Sequence, residues 1–484
     1  MTTPAIADAL AMDMNKALQR QKQANLKAAY APASVREDRL DRLIDLITRF
    51  EEPICEALMS DYGYRSIDQI RFAEVVTTLK PLKTAKRKLQ RWMRPERRTT
   101  GLPFNLAGGR SEVIYQPLGS VGIISPWNFP INLTFSPLAG VIAAGNRAMI
   151  KPSELTPATS SLMDQMIKES FDPEEITVVT GGPETGKAFS QLPFDHLIYT
   201  GGEAVAKHIM RAAAENLVPL TLELGGKSPV VISDSAKLPL AAKRILFGKL
   251  FNAGQICLAP DTVFVPEKRL EEFIKQMKLA AHEIFPQEKK HHDYVAVINA
   301  NHAGRINGYL ANAVNNGADV ISLGPTDCNQ AELEQGLNNI VPITLVVNPN
   351  EEADINKDEI FGPLLLVKTY SDFDHVIDHI NLNPKPLALY YFGRNKNEQQ
   401  RLLLETSSGG MTINDVIMHY TIDDLPFGGV GASGMGAYHG FDGFKQFSHA
   451  RSVYRQSPFD VGAMLRPPYE AKFKVMNKLL RLIS

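Results

Sequence analysis

Apolar residues recur at helical spacing through the first hundred positions. Leu40, Leu43, Ile44, Ile47 and Phe50 form one stripe, and residues 1–98 are expected to be helical. From about residue 111 the pattern changes. The run at 121–125, Val-Gly-Ile-Ile-Ser, predicts a buried strand, and a helix follows near 132–144, with Gly145-Asn146 as its stop. Further strands are expected at 147–151, 176–180, 195–200 and 219–223. Helices fall between them at about 157–169, 184–191 and 203–216, with Thr156 as an N-cap and Pro157 in the first helical position. Short apolar strands alternating with helices imply parallel βαβ units in a doubly wound sheet. A second α/β region begins near 224. Its strands are expected at 229–232, 262–266, 343–347, 364–369, 388–392 and 410–414, with helices near 237–252, 268–283 and 302–316. No internal repeat is present.

Two segments stand apart from this division. Residues 110–118 and 448–456 alternate polar and apolar positions, which suits strands that pair with each other or with a second subunit. In the tail, Phe473, Met476, Leu479, Leu480 and Ile483 share a helix face ringed by Lys472, Lys474, Lys478 and Arg481. A packed or dimer-contacting helix is favoured there over a membrane-surface helix.

Composition narrows the function classes. The 484 residues carry 52 basic and 53 acidic side chains, a net charge of −1, which gives no reason to expect nucleic acid as a partner. The basic run from Lys83 to Arg98 reads as a solvated helix face. Three scattered cysteines, Cys55, Cys257 and Cys328, exclude a disulfide framework and suggest a reducing compartment. No CxxC pair suggests a metal cage, so no metal site is expected. The adjacent His291-His292 pair reads as surface loop, because neighbouring helix positions point apart. The N-terminus lacks a basic start and apolar core, and no stretch reaches the ~20 apolar residues of a membrane span. A cytoplasmic location is expected.

Three motifs invite misreading. The run 181–187, Gly-Gly-Pro-Glu-Thr-Gly-Lys, resembles a phosphate-binding loop. Ala188 stands where a hydroxyl should hold magnesium, leaving at most a glycine-rich turn near a cofactor phosphate. The run 429–434, Gly-Val-Gly-Ala-Ser-Gly, fits GxGxxG but no complete βαβ unit follows, so a tight loop near the active site is the better reading. Gly201 and Gly202 follow a strand and open a helix, which suits a pyrophosphate. Glu223, about twenty residues on, would then be the ribose-binding acid of an ordinary dinucleotide fold.

Five segments change that assignment. They are Ser125-Pro-Trp127-Asn128-Phe129-Pro130, Lys151-Pro-Ser153-Glu154, Glu223-Leu-Gly-Gly-Lys227, Gly254-Gln-Ile256-Cys257 and Glu359-Ile-Phe361-Gly-Pro363. In order and spacing they resemble the aldehyde dehydrogenase superfamily over roughly 120–437. The runs at 257–261 and 425–439 resemble its class 3 branch, and there the bacterial coniferyl aldehyde dehydrogenases. The resemblance implies an α/β fold: a doubly wound Rossmann-like cofactor domain (1–109 and 119–222) and a second α/β catalytic domain (223–430). It also implies a small β oligomerisation arm (110–118 and 448–456), with 457–484 as a C-terminal tail and a homodimer as the assembly.

The implied reaction is NAD(P)-dependent oxidation of an aldehyde, aromatic such as coniferaldehyde or medium-chain, to the carboxylic acid. Cys257 is the implied nucleophile, since sulfur forms an adduct able to expel hydride and then a hydrolysable thioester. Asn128 and the Cys257 N–H are the implied oxyanion donors. Glu223 becomes the general base for thioester hydrolysis, which favours free acid as product over transfer to coenzyme A. Trp127, Lys151, Ser153, Glu154, Gly201, Gly202, Val205, Glu359 and Phe361 are the implied cofactor contacts. A carboxylate at 154 should repel a 2′-phosphate, favouring NAD, with NADP left open. Where much of the family has Phe-Thr-Gly-Ser, this chain has Tyr199-Thr-Gly-Gly and so lacks one hydroxyl for a phosphate. Phe129, Ile256 and Phe427 flank motif residues and are read either as an apolar substrate entrance or as core. Asn414 and His439 fall near the site without an assigned role. Two other uses of the chain, a cofactor-free cysteine hydrolase and a non-enzymatic binding protein, lack support: no catalytic-histidine motif accompanies Cys257, and both Cys257 and Glu223 are present.

Overall fold

The computed structural model describes residues 4–101, 104–285, 293–324, 339–460, 463, 466–469, 474, 477–478 and 481. The predicted N-terminal helices are present as α1 (Pro4–Lys27), α2 (Ala33–Arg49), α3 (Glu51–Tyr62), the single-turn α4 (Ile67–Ile70) and α5 (Thr77–Trp92). Leu40, Leu43 and Ile47 of the predicted stripe are fully buried. Between α4 and α5 the chain makes a π-helical stretch, Arg71–Val76. Such turns are uncommon and frequently lie at functional sites.

After β1 (Glu96–Arg98) and β2 (Arg110–Pro117) the first α/β unit begins. It runs β3 (Ser120–Ile124), α6 (Asn132–Ala143), β4 (Arg147–Lys151), α7 (Pro157–Ser170), β5 (Ile176–Val178), α8 (Pro183–Ser190), β6 (His196–Thr200), α9 (Glu203–Ala214) and β7 (Leu220–Glu223). The five strands are parallel in the order β7-β6-β3-β4-β5. The order reverses between β3 and β6, and sheets of this kind bind ligands in the crevice beyond the strand ends there. Helix α6 has no polar face, and all its residues are buried.

Thr156 precedes α7 as expected, but its side chain does not cap it. Asp61 of α3 does, accepting from the Ala158 and Thr159 amides at 2.9 Å each and from the Thr159 hydroxyl at 2.7 Å. A carboxylate distant in sequence fills the position predicted for a local hydroxyl.

The second unit contains β8 (Pro229–Ile232), α10 (Leu238–Leu250), β9 (Thr262–Pro266), α11 (Leu270–Ile284), α12 (Ala300–Asn315), β10 (Asp319–Ser322) and β11 (Thr344–Val347). It continues with β12 (Leu364–Tyr370), α13 (Phe373–Leu382), β13 (Ala388–Phe392), α14 (Lys396–Glu405) and β14 (Gly410–Ile413). Its sheet order is β10-β11-β12-β9-β8-β13-β14, parallel except for the edge strand β10.

The chain then returns to the first unit. β15 (Gly434–Met435) pairs antiparallel with β7, placing Gly434 opposite Glu223. A Cβ at Gly434 would lie 2.0 Å from the Leu222 carbonyl oxygen, so only glycine permits that approach. The formal GxGxxG run is therefore a tight loop against the end of β7. Helix α15 (Gly440–Gln446) packs on α5 and α6. The last strand, β16 (Ser448–Arg455), pairs with β2 in register Arg455↔Arg110 through Ser448↔Pro117. Of the two alternatives for these segments, pairing with each other is the one observed. The predicted apolar stripe of the tail, Cys328 and the His291-His292 pair lie outside the described residues.

Candidate active site

The ends of β3, β4, β6 and β7 face the loops of the second unit across a cavity of about 1100 Å³. Trp127, Asn128, Lys151, Ser153, Glu154, Gly201, Gly202, Val205, Glu223, Cys257, Glu359 and Phe361 all line it. Phe129, Ile256 and Phe427 do not. They are buried, with Phe129 stacked on Phe251 at 5.9 Å and Phe427 on His439 at 5.1 Å. Asn414 is likewise outside the cavity and ties Gly393 through both ends of its amide.

Cys257 follows a short 3₁₀ turn, Phe251–Gly254, at the end of α10. It stands on a loop and is only partly exposed. Asn252 and Ala253 are both left-handed there, with φ of 50° and 53°. Ala253 carries this at a cost of order 1–3 kcal/mol, of the kind that clusters at functional sites. Gln255 holds the turn together. Its Nε2 donates to Asn252 O and Ala296 O, and its Oε1 accepts from the Ile298 amide. Burial pushes the Cys257 thiol well above its usual range, and the nearby Glu359 and Glu223 carboxyls push it further.

Glu223 ends β7. Neither carboxyl oxygen has a hydrogen-bond partner among the described residues. Burial raises its pKa well above the carboxylate range. Lys227 does not relieve it: that ammonium pairs with Asp261 at 2.5 Å and donates to the Ile355 and Asp358 carbonyls. A buried acid without partners is costly, and this one opens onto the cavity that Cys257 lines.

Asn128 is 4 % exposed and donates from Nδ2 to Gln255 O at 3.0 Å. An amide nitrogen has two hydrogens, so the second remains for an oxygen bound to carbon on the Cys257 sulfur. The Asn128 carbonyl accepts from Tyr62 OH at 3.0 Å and Asn252 Nδ2 at 3.1 Å.

The other end of the cavity fits the implied nucleotide. Helix α9 opens at Gly202 without a side-chain cap, so its first amides are free for an anion. Nothing lies within 4 Å of a Cβ built at Gly202, whereas one at Gly201 would meet the Tyr199 hydroxyl at 2.3 Å. That hydroxyl donates to Gly202 O, so the tyrosine braces the glycine turn. Lys151, itself buried, holds Glu154 at 2.8 Å. Burial pushes the Glu154 carboxyl up, but the hydrogen bond and charge of Lys151 outweigh it and hold it low. Glu359 is pushed up to about 8 by burial and by Asp261, against the Gly226 amide, Lys227 and Lys249. A Cβ at Gly225 would lie 2.0 Å from a Glu359 oxygen, so this glycine lets the carboxyl into the cavity. Part of the 181–187 run also lines this end, at Pro183, Glu184, Gly186 and Lys187.

Sequence reasoning missed His302 and Arg305 of α12, which also line the cavity. Arg305 donates to Ile360 O at 2.9 Å and Phe361 O at 3.3 Å, holding Phe361 at its positive φ of 44°. His302 and Phe361 both meet the Trp127 ring edge-on, at 5.0 and 5.4 Å. Their one-turn spacing is the only sequence signal, and it is common to any helix face.

Comparison with known proteins agrees with this geometry. Residues 2–453 match the aldehyde dehydrogenase family. A protein of Caulobacter vibrioides named probable coniferyl aldehyde dehydrogenase is 49% identical over 466 residues, covering 96% of each chain. A coniferyl aldehyde dehydrogenase of a Pseudomonas species is 47% identical over 473 residues, 97% of each. Among solved structures, the substrate-bound state of Staphylococcus aureus AldH superposes with a TM-score of 0.89 at 37% identity. It covers 96% of this chain and 99% of that one.

Proposed function

The chain belongs to the aldehyde dehydrogenase family and is an aldehyde dehydrogenase acting with a nicotinamide cofactor, and from that premise we propose that it oxidises an aromatic aldehyde such as coniferaldehyde, or a medium-chain one, to the free acid with NAD. The observation that carries the proposal is the unpartnered Glu223 carboxyl in the same cavity as Cys257.

In this reading the Cys257 sulfur attacks the aldehyde carbon, and the thiol proton passes to a solvent water in the cavity. The carbonyl oxygen of the adduct becomes an oxyanion, stabilised by Asn128 Nδ2 and the Cys257 amide. One such donor is typically worth about 10²–10³ in rate. A nicotinamide held at this end of the cavity would supply the hydride acceptor and a positive charge that favours the Cys257 thiolate. Glu223 then takes a proton from water, the hydroxide adds to the thioester carbon, and the departing Cys257 sulfur takes the proton back from Glu223 as the acid is released. Burial raises the Glu223 carboxyl, which makes its carboxylate a stronger proton acceptor for that transfer.

Lys151 and Glu154 would hold the adenosine ribose, with the lowered Glu154 charge disfavouring a 2′-phosphate. The free amides at the start of α9, beside Gly202 and Val205, would take the pyrophosphate, and Gly201, whose own amide donates to Glu223 O at 3.0 Å, would form the turn next to it. Ser153 would line the nucleotide end, Glu359 would hold the nicotinamide ribose, and Phe361 and Trp127 would flank the ring. The aromatic preference is supported by the names of the similar proteins. The β1-β2-β16 sheet leaves β16 at an edge, and we take it as the dimer surface. No described helix is long and apolar enough to cross a membrane, and the unpaired Cys55 and Cys257 suit a cytoplasmic enzyme.

The test is NADH formation with coniferaldehyde, benzaldehyde, hexanal and acetaldehyde, compared for NAD and NADP. Coniferaldehyde with NAD is expected to give the highest kcat/KM. No reduction of either cofactor with any aldehyde would overturn the proposal.

A further inference from the structure

We propose that Glu74, held by Arg65, is a positioning residue for the oxyanion donor: it fixes the start of α6 and thereby the turn from Trp127 to Asn132 that presents the Asn128 amide. The inference rests on the reading of Asn128 given above.

Glu74 and Arg65 are both completely buried. Their pairing distance is 3.1 Å, from Arg65 Nη1 to Glu74 Oε1. The other carboxyl oxygen accepts from the Ile131 amide at 3.1 Å and the Asn132 amide at 2.9 Å. These are the orphan donors at the N-terminus of α6, which has no local side-chain cap. A carboxylate there also complements the helix dipole. Replacing a buried ion pair with apolar groups is frequently neutral for stability. The geometry of this pair therefore needs a further reason, and its neighbours supply one.

The Arg65 guanidinium lies over two rings, 4.7 Å from the Tyr62 centroid and 5.0 Å from that of Phe129. Tyr62 OH reaches past it to the Asn128 carbonyl at 3.0 Å and the Trp127 carbonyl at 3.2 Å. Gln69, from the same segment, accepts from the Asn252 amide at 2.8 Å. Asn252 in turn donates to the Asn128 carbonyl. Side chains from residues 62–74 thus grip the oxyanion turn directly and the approach to Cys257 through Asn252. The π stretch Arg71–Val76 contains Glu74 and directs it back at α6. None of these groups lines the cavity, so they act through Asn128 and not on substrate.

A double-mutant cycle tests this, using Glu74→Gln, Asn128→Ala and the pair, with benzaldehyde and NAD. Glu74→Gln is expected to lower kcat about tenfold with the KM for NAD unchanged, as small misplacement of a catalytic group can. In the Asn128→Ala background the same substitution should change kcat by less than about twofold, since coupled residues are not additive. An equal loss in both backgrounds, or no loss in the wild-type background, overturns the inference alone. If Asn128→Ala itself leaves kcat unchanged, the reading of Asn128 falls and this inference with it. Should Glu74→Gln fail to fold, Glu74→Asp, which keeps the charge and shortens the reach, passes through the same cycle with the same deciding outcomes.

Discussion

Glu74 and Glu223 are both carboxyls removed from water, and their surroundings could hardly differ more. Burial raises both. Glu74 is pulled back to about 7 by Arg65 and the Asn132 and Ile131 amides. Glu223 has no partner among the described residues to pull it back. The first carboxyl is tied into the fold by three donors; the second stands at a cavity beside a cysteine. Low exposure alone marks neither role. What separates them is whether the protein satisfies the charge itself or leaves it to be satisfied by what enters.

Substitutions at the two carboxyls separate their roles. The largest effect is expected at Glu223. Glu223→Gln should lower release of the acid by about 10²–10⁴ while leaving thermal stability at or above the wild-type value, because no partner is lost. Unfolding of that variant would erase the distinction. Glu74→Ala should do the reverse, destabilising the fold by about 3–5 kcal/mol in urea titration, since Arg65 is left buried and unpaired. The paired change Arg65→Met with Glu74→Leu should recover most of that stability; failure to recover would mean that the helix cap, not the charge, dominates.

A pH titration sharpens the comparison further. The folded Glu74 value of about 7 lies above the ordinary 4.5. A raised carboxyl contributes stability below the unfolded value and loses it as pH rises through the folded one. Wild type should therefore lose stability through this group as pH rises from 4.5 through about 7. Glu74→Gln should flatten that slope in unfolding measured at pH 5 and pH 8; an unchanged slope would place the titration elsewhere. The smallest effect is expected at Glu154, a partly exposed carboxyl that Lys151 holds low. Glu154→Gln should improve the KM for NADP relative to NAD by roughly two- to fivefold, the scale of an exposed charge. No change in that ratio would detach Glu154 from cofactor choice.

The same contrast explains what was legible in the sequence. Glu223 sits in a contiguous motif at a strand end, where parallel sheets gather their ligands, so strand periodicity and the five motifs locate it together. The strands of both sheets are legible for the same reason: buried parallel strands such as β8 and β13 are short unbroken apolar runs. β10 is mostly exposed at an edge, and β15 is two residues long, so neither leaves a periodic signal. Glu74 lies 58 residues from the amide it caps, and a lone Glu in a helical stretch reads as solvent-facing. Asp61 capping α7 in place of Thr156 is the same case. Phe129 and Phe427 were placed beside motif residues correctly, but adjacency in the chain does not say which way a ring points, and both turn into the core.

The claim that Cys257 carries an acyl group whose hydrolysis needs Glu223 can be tested directly. Glu223→Gln is mixed with NAD and benzaldehyde, quenched in acid and examined by intact mass and peptide mapping. A benzoyl group accumulating on the Cys257 peptide, in step with one equivalent of NADH, is the predicted result. An unmodified Cys257 peptide with benzoate released at the wild-type rate would contradict the account.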